Sequence, residues 1–182
     1  MNTHYEDKFF LAVQLQDHPT IERLIGKEVD VNARNGNALT TAANQGDYLT
    51  VQMLLKAGAE VNADKTKALR MAAQNGHHEI VELLAQYGAE NFDAAIKAAA
   101  KAKRKQALFI LLSHAEQDDN SRYQKIARNK SLLSGVKQIL ENNNELDIES
   151  LMSLIIDDDL DAIEELTPTD LMQRVSSKKY RF

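Results

Sequence analysis

Two histidines and two glutamates lie close together within QNGHHEIVELL, residues 74–84. The side chains of His77, His78, Glu79 and Glu82 are all of types that bind metal ions. A zinc-protease helix carries H-E-x-x-H, which places two histidines four residues apart on one face. His78 and Glu79 begin that pattern, but residue 82 is a glutamate. Because the remaining histidines are scattered, we predict no metal site, and the segment requires another explanation.

No other motif typical of catalysis or of cofactor binding is present in the sequence. The absence of cysteine excludes disulfides, thiolate metal sites and a cysteine nucleophile. The glycine-rich phosphate loops and the G-x-S-x-G nucleophile turn are also absent. Asp157, Asp158 and Asp159 lack the alternating ligands and central glycine of a calcium loop, whereas acids before a helix favour its N-terminal dipole. We therefore expect no catalysis, no metal and no cofactor.

The 182-residue chain has the composition of an ordinary globular protein, with 43% hydrophobic and 27% charged residues. This length allows one domain or one continuous array of repeats. The N-terminal apolar run, FFLAV, is too short for a secretory signal, and no stretch approaches the roughly 18 apolar residues of a membrane span. Since cysteine is absent as well, we expect a cytoplasmic protein without membrane association.

The net charge of −5 is unevenly distributed along the chain. Residues 94–130 have a net charge of +6, whereas residues 141–170 contain eleven acidic and no basic residues. Residues 171–182 have a net charge of +4. The basic zone is a candidate surface for an acidic partner. The acidic zone has three open interpretations: a solvated cap, a second binding surface, or a lid that partly neutralises the basic residues.

The N-terminal half contains a sequence repeat with a period of 30 residues. Residues 31–60, VNARNGNALTTAANQGDYLTVQMLLKAGAE, align without gaps with residues 61–90, VNADKTKALRMAAQNGHHEIVELLAQYGAE. Residues 9–33 fall into the same frame. Each unit begins with a helix whose apolar face has a spacing of i, i+3, i+4, as in Leu69, Ala72 and Ala73. A second apolar stripe with helical spacing follows and predicts a second helix in each unit. Since a pair of short helices cannot bury its apolar faces alone, the units are predicted to stack.

The turn between the two helices of each unit has recurring residues. Gly46 and Gly76 can take the positive φ that ends the first helix. Asp17 and Asp47 lie where the N-cap of the second helix is expected, since a short polar side chain there accepts hydrogen bonds from free amides. His77 is the repeat equivalent of Asp47. The histidine segment is therefore predicted to be a turn between helices.

This pattern resembles the ankyrin repeat over residues 9–90. Ankyrin units have a period of about 33 residues, and the shortening here falls where they carry a β-hairpin finger, leaving RNG and DKT as stubs. The resemblance implies an all-α, ankyrin-like solenoid of stacked helix pairs with truncated β-hairpin fingers, and recognition of other proteins on its concave face. The residues that carry it are Ala38, Leu39, Ala42, Ala43, Gly46, Val51, Leu54, Leu55, Gly58, Ala59, Val61, Asn62 and Ala63, with their equivalents in the next unit.

The repeat diverges after residue 90. A fourth unit continues at a period of 27, with Ile96, Ala99 and Ala100 on its first helix and no finger. Residues 118–145 predict two more helices, with a turn between them at Gly135.

A last helix pair is predicted beyond residue 145, followed by a helix that begins with Pro168 at its first position. In that pair Ile155 and Ile156 replace the two alanines, Asp159 is the N-cap, and Ile163 and Leu166 line the second helix. We predict one continuous solenoid with three segments: ankyrin-like repeats at 1–117 (an N-terminal capping unit plus three units), divergent helical repeats and a C-terminal cap at 118–170, and a basic tail at 171–182.

The predicted function is recognition of another protein by a non-catalytic module that serves as an adaptor, an inhibitor or an effector. The repeat register places a basic stripe on the finger stubs and first helices of units three and four. We expect it to bind a protein with an acidic surface, and we expect the chain to be a monomer on its own. The predicted partner-binding residues are Leu15, Arg34, Asn37, Asn44, Gln45, Lys65, Lys67, Arg70, Gln74, Asn75, Lys97 and Lys101.

The alternative is that the same stripe binds nucleic acid or another polyanion. KAKRK, residues 101–105, suits such a ligand or a nuclear-localisation signal, although short charge runs usually face solvent. The acidity of the whole chain argues against nucleic acid. The acidic stretch followed by SSKKYRF is similar in composition to C-terminal translocation signals of bacterial type IV effectors, which would imply delivery into a host cell.

Overall fold

A computed structural model describes residues 3–27, 29–117, 121–142, 145–156 and 167–177. Across these ranges the protein consists of twelve α-helices and one short 3₁₀ helix, with no β-strand. The all-α prediction is therefore confirmed. The chain divides into two compact units, residues 1–90 and 91–182, which we describe separately. The predicted segments 1–117, 118–170 and 171–182, and their continuity in one solenoid, stay predictions.

The first unit consists of three helix pairs arranged in two layers. The first helices of the pairs, α1, α3 and α5, contact one another in succession, and so do the second helices, α2, α4 and α6. The bounds of the six helices are α1 Thr3–Leu15, α2 His18–Ile25, α3 Ala33–Gln45, α4 Tyr48–Lys56, α5 Ala63–Asn75 and α6 His78–Gln86.

The core of this unit contains the predicted apolar faces. The alanine pairs, Ala42 with Ala43 and Ala72 with Ala73, are fully buried, as is Leu69. Because an alanine side chain is one methyl group, successive first helices can approach closely along these pairs. The second helices bury the predicted stripe as well: Val51, Leu54, Leu55, Ile80, Val81 and Leu84.

The ends of the helices also match the predicted repeat. Gly46 and Gly76 end α3 and α5 with φ values of 80° and 82°. This left-handed conformation costs a glycine little because it has no Cβ. Asp17 and Asp47 occupy the N-caps of α2 and α4, and each accepts a hydrogen bond from the third amide of its helix.

The shortened fingers form single left-handed turns. In the RNG stub, Arg34, Asn35 and Gly36 have φ values of 58°, 59° and 69°. In the DKT stub, residues 64–66 have φ values between 47° and 57°. A Cβ on Gly36 would lie 2.6 Å from the Cβ of Ala63. The first turn therefore packs closely against the start of the next repeat at Ala63.

The second unit contains helices of less regular spacing. Its helix α8 contacts α7, α9 and α10, whereas α11 contacts α7 and α10, and α12 contacts α10 and α11. The bounds are α7 Phe92–Lys101, α8 Lys105–His114, a 3₁₀ helix Ala115–Gln117, α9 Gln124–Arg128, α10 Lys130–Glu141, α11 Glu145–Ile156 and α12 Pro168–Ser177. The two helices predicted over residues 118–145 are present, and α7 begins two residues after Glu90, as expected for a unit without a finger.

The predicted turn at Gly135 is wrong. This glycine lies inside α10 and is buried. The turn falls at Asn129, whose side chain accepts a hydrogen bond from the Leu132 amide, 3.0 Å away, and so caps α10. Gly135 instead allows a close approach of α12, because an added Cβ would lie 3.2 Å from the Cβ of Pro168.

The predicted start of α12 is confirmed. Pro168 is its first residue, and Thr167 and Asp170 form reciprocal hydrogen bonds there: the Thr167 amide donates to the Asp170 carboxylate at 3.1 Å, and the Asp170 amide donates to the Thr167 hydroxyl at 3.2 Å. The acids at 157–159, with the proposed Asp159 cap, and Ile163 and Leu166 lie outside the described residues, as does the Ile156 side chain.

Candidate partner-binding face

The candidate site in the first unit is the face that carries the two left-handed turns and the exposed positions of α1, α3 and α5. We call it the first-helix face. Ten of the twelve predicted partner-binding residues belong to it: Leu15, Arg34, Asn37, Asn44, Gln45, Lys65, Lys67, Arg70, Gln74 and Asn75. The other two, Lys97 and Lys101, lie on α7 of the second unit.

The turns of this face are fixed by one asparagine in each repeat. The Asn32 side chain donates to the Gly58 carbonyl at 3.1 Å and accepts from the Glu60 amide at 2.8 Å. Asn62 makes the same pair of bonds one repeat later, with Gly88 and Glu90. An amide side chain offers a donor and an acceptor together, which a carboxylate cannot do. These bonds tie the start of each first helix to the end of the following second helix.

A second set of hydrogen bonds links the C-terminal ends of the first helices. Gln45 Nε2 donates to the Gln14 carbonyl at 2.8 Å. Asn75 Nδ2 donates to both the backbone and the side-chain oxygen of Asn44, each at 3.0 Å. Three of the predicted binding residues therefore also hold neighbouring repeats together.

The equivalent position in the first repeat is apolar. Leu15 stands where Gln45 and Asn75 stand in the later repeats, and its residue is 70% exposed. Leu11 lies one helical turn earlier and is 53% exposed. Residues four apart share one face of a helix, so α1 presents two adjacent leucines to solvent.

The basic residues of the turns differ in how far they are already paired. Arg34 forms an ion pair with Asp7, and its guanidinium lies 5.2 Å from the centre of the Phe10 ring. Lys67 forms an ion pair with Asp64 at 3.1 Å, on the same turn.

Lys65 and Arg70 have no hydrogen-bond or ion-pair partner for their side chains among the described residues. Lys65 is exposed in the left-handed turn and Arg70 is half-buried on α5. Asn37, the repeat equivalent of Lys67, directly follows the preceding turn and is half-buried. Two cations of this face are therefore available for an acidic ligand.

The predicted basic stripe also includes two residues of the second unit. Lys101 is exposed in the last turn of α7, and Lys97 is half-buried one turn earlier. Each lies on a first-helix position of its own unit, as the register predicts. Whether the stripe is continuous from Arg70 to Lys97 stays a prediction.

His77 is confirmed as a residue of the turn between two helices. It is the N-cap residue of α6, although its side chain forms no capping hydrogen bond. Its ring packs over Gly46, and Nε2 lies 3.2 Å from the Asn44 carbonyl. A cavity of about 150 Å³ opens beside this ring and is lined by Gly46, Tyr48, Gly76, His77, His78, Glu79 and Ile80. In the part of the chain that the structure describes, no three histidine or acidic side chains are grouped to hold a metal ion.

One contact of the turns was not predicted. His18 Nε2 lies 2.9 Å from the carboxylate of Asp47, the N-cap residue of the next repeat. Burial of Asp47 raises its pKa, but hydrogen bonds from the hydroxyl and amide of Thr50 and from His18 outweigh burial and leave the pKa below its usual range. The signal in the sequence is the position of His18, which directly follows the N-cap residue Asp17 and precedes the N-cap residue Asp47 by 29 positions.

These stacked helix pairs define a helical repeat protein. A family model described as ankyrin repeats matches residues 9–95 with three copies, and this part of the chain belongs to the ankyrin repeat family. The ankyrin-like fold is thereby confirmed. Ankyrin repeats are generally protein–protein interaction modules and are typically non-catalytic.

Among curated proteins, none matches this chain. The search for bilayer-crossing helices found none of the necessary length and apolarity within the described ranges.

Proposed function

We propose that this protein is a non-catalytic adaptor, inhibitor or effector that binds an acidic surface of another protein through the first-helix face. The observation that carries the proposal is the pair of uncommitted cations, Lys65 and Arg70, beside a set of hydrogen bonds that recurs from repeat to repeat. Because these hydrogen bonds already hold the backbone of the face in place, a partner that binds the two side chains has little backbone to order. The entropic cost of binding is therefore smaller.

The charge distribution of the first unit supports a protein ligand over a polyanion. Residues 1–90 have a net charge of −4. Arg34 and Lys67 are already paired with Asp7 and Asp64. A nucleic acid binds mainly through many phosphate–cation contacts, and this face offers two uncommitted cations and two exposed leucines. An acidic protein surface needs no more than a few complementary charges.

The cellular role and place of action are part of the same proposal. A module that binds without catalysis can act as an adaptor, as an inhibitor or as an effector, and these roles place the same demand on the face. We propose that the protein is a monomer that acts in the cytoplasm. The composition of the C-terminal residues suggests, as an alternative, that it is delivered into a host cell.

The test is capture of partners by the immobilised full chain, followed by mass spectrometry. A partner that binds the wild type should be lost or strongly weakened with Lys65→Glu, Arg70→Glu. A matched control is Lys56→Glu, which makes the same charge reversal at an exposed lysine of α4, in the other helix layer. A separate Lys97→Glu variant tests whether the stripe extends onto α7. Partners that are captured equally by all variants would contradict the proposed face.

Nucleic acid is the second candidate ligand, and the basic zone of residues 94–130 favours it. Duplex DNA binding would show log affinity falling linearly with log salt, with a slope of about −0.9 for each phosphate neutralised. We expect no mobility shift at physiological salt. A shift that disappears in the Arg70→Glu, Lys97→Glu variant would replace the protein-partner proposal with polyanion binding.

A further inference from the structure

The first-helix face changes its chemistry from one end of the first unit to the other. Its first repeat presents the exposed apolar side chains of Leu11 and Leu15. In the second and third repeats, the position equivalent to Leu15 is occupied by Gln45 and Asn75, which present side-chain amides. Among the predicted binding residues of this face, the uncommitted cations are Lys65 and Arg70, and both lie in the third repeat. The face is thus apolar at one end, amide-bearing in the middle and cationic at the other end.

The distance between the two ends follows from helix packing. Packed helices lie about 8–10 Å apart, so α1 and α5 are separated by roughly 16–20 Å, with α3 between them. An extended chain covers about 3.3 Å per residue. A ligand that crosses the helices in an extended conformation from Leu11 to Arg70, which lies beside the repeat equivalent of Leu11, therefore needs about five or six residues between these two contacts.

The middle of the face favours an extended ligand over a helical one. Gln45 Oε1 and Asn75 Oδ1 have no hydrogen-bond partner among the described residues, because the bonds to neighbouring repeats use the nitrogen of each amide. An extended segment exposes backbone N–H groups that these oxygens can accept, whereas a helix has already paired its own.

We propose that the preferred ligand is an extended protein segment with two anchors of different chemistry: one or two apolar side chains against Leu11 and Leu15, and acidic side chains against Lys65 and Arg70, about five or six residues away. This inference rests on the proposed function, because it assigns the ligand class of the same face. The two anchors explain why the face needs so few uncommitted cations: charge fixes one end of the segment and apolar contact fixes the other.

The test starts with selection of random 16-residue peptides, displayed on phage, against the immobilised full chain. We expect enriched peptides to share an apolar residue and an acidic pair at this separation. Fluorescence anisotropy with a synthetic copy of one selected peptide then measures the anchors separately. Leu11→Ala, Leu15→Ala should weaken binding by about fivefold to tenfold, as expected for the lost apolar contact. Lys65→Glu, Arg70→Glu should weaken it by at least as much.

A peptide with its acids changed to amides sharpens the assignment. Its affinity should no longer respond to Arg70→Glu but should still respond to Leu15→Ala. The matched control for the apolar anchor is Leu49→Ala, since Leu49 is 47% exposed on α4 in the other layer. The control for the charges is Lys56→Glu. Neither should change affinity, and circular dichroism should show that every variant is folded.

The outcomes separate this inference from the proposed function. Selected peptides that are acidic throughout, bind through Arg70 and ignore both leucines would overturn the two-anchor inference and leave the proposed face standing. Peptides that respond to Leu49→Ala or Lys56→Glu, but to neither anchor, would overturn both. A selection in which no recovered peptide depends on Leu15 or Arg70 counts against both as well.

Discussion

The two compact units hold their helix pairs together in different ways. In the first unit, the contacts that fix the turns recur at the repeat period: Asn32 and Asn62 make the same pair of hydrogen bonds, and Gly46 and Gly76 adopt the same conformation. The loss of one such contact leaves its equivalent in place. Since a repeat array is stabilised by a sum of similar neighbour interactions, we expect single changes there to have moderate effects.

The second unit uses contacts that occur once. Tyr123 is fully buried, and its hydroxyl donates to the Ile155 carbonyl at 3.1 Å, across 32 residues of sequence. Asp93 accepts from the Ser121 hydroxyl at 2.7 Å and from the Arg122 amide at 3.2 Å. These contacts join α7 and α11 to the segment before α9 without a repeated motif. The comparison teaches that a regular period distributes stability, whereas divergence concentrates it in a few side chains.

The largest effect is therefore expected at Tyr123. Replacement by alanine removes a buried aromatic ring and should cost about 3–5 kcal/mol in the free energy of unfolding. Replacement by phenylalanine keeps the ring but removes the hydroxyl that donates to the Ile155 carbonyl, which should cost about 1 kcal/mol. Urea denaturation followed by circular dichroism gives both values.

The control for this substitution is Tyr87→Ala in the first unit, because Tyr87 is exposed. A surface substitution of this kind should change the free energy by no more than about 0.5 kcal/mol. If Tyr123→Ala were no more destabilising than Tyr87→Ala, the second unit would not depend on a single buried contact, and the contrast between the units would fail.

The same contrast explains how much of the structure could be predicted from the sequence. The alanine faces and the left-handed glycines were predictable because each recurs and each has one physical requirement, close packing or a positive φ. Gly135 was misplaced because one glycine in a divergent segment carries no periodic partner, and its role depends on Pro168, which is distant in sequence. The Tyr123 contact was not predictable for the same reason.

For the candidate site, the sequence predicted the exposure of Lys65 and Leu15 but not the pairing of the other side chains. The ion pair of Arg34 with Asp7 joins residues 27 apart, and the bond from Asn75 to Asn44 joins residues 31 apart. The repeat register gives the position of a residue on a face. Which neighbour it contacts depends on side-chain length and rotamer, which the register does not contain.

A medium effect is expected from two left-handed glycines of the first unit that lie in different turns, Gly46 after a first helix and Gly58 after a second helix. Gly58 has a φ of 86° and no atom within 4 Å of an added Cβ, so Gly58→Ala should cost only the left-handed strain, about 1–2 kcal/mol. Gly46 has a φ of 80°, and an added Cβ would lie 2.6 Å from the His77 ring. Gly46→Ala should cost about 1 kcal/mol more, because the ring must give up its contact with the Asn44 carbonyl.

The extra cost in unfolding free energy of Gly46→Ala over Gly58→Ala can be attributed to the His77 ring by repeating both substitutions in a His77→Ala background. Urea denaturation midpoints give the measurement. There, Gly46→Ala and Gly58→Ala should have equal costs, since only the backbone strain remains. An excess that survives removal of His77 would mean that the backbone around Gly46 is constrained by something other than that ring.

The smallest effect is expected from the N-cap carboxylates and depends on pH. Asp47 and Asp17 have the same role in successive repeats, but only Asp47 is nearly buried and contacts a histidine. Burial raises the pKa of Asp47, yet the bonds from Thr50 and His18 prevail and lower it below the ordinary value of 3.8. A carboxyl with a lowered folded-state pKa stabilises the fold above its unfolded-state pKa, and that contribution disappears as the pH falls through the folded-state pKa.

The free energy of unfolding of the wild type should therefore exceed that of Asp47→Asn by about 1 kcal/mol near neutral pH, because asparagine can still cap the helix but lacks the charge. The difference should shrink below about pH 4 as the carboxyl is protonated.

The control is Asp17→Asn, where hydrogen bonds from Thr20 also lower the pKa but the carboxylate is exposed, so we expect a smaller difference. The series is repeated in a His18→Gln background, which removes the histidine ring from Asp47. A pH dependence that persists there comes from the Thr50 bonds, and one that vanishes comes from the contact between repeats. If Asp47→Asn and Asp17→Asn behaved identically at every pH, the contact from His18 would add nothing to the recurring cap.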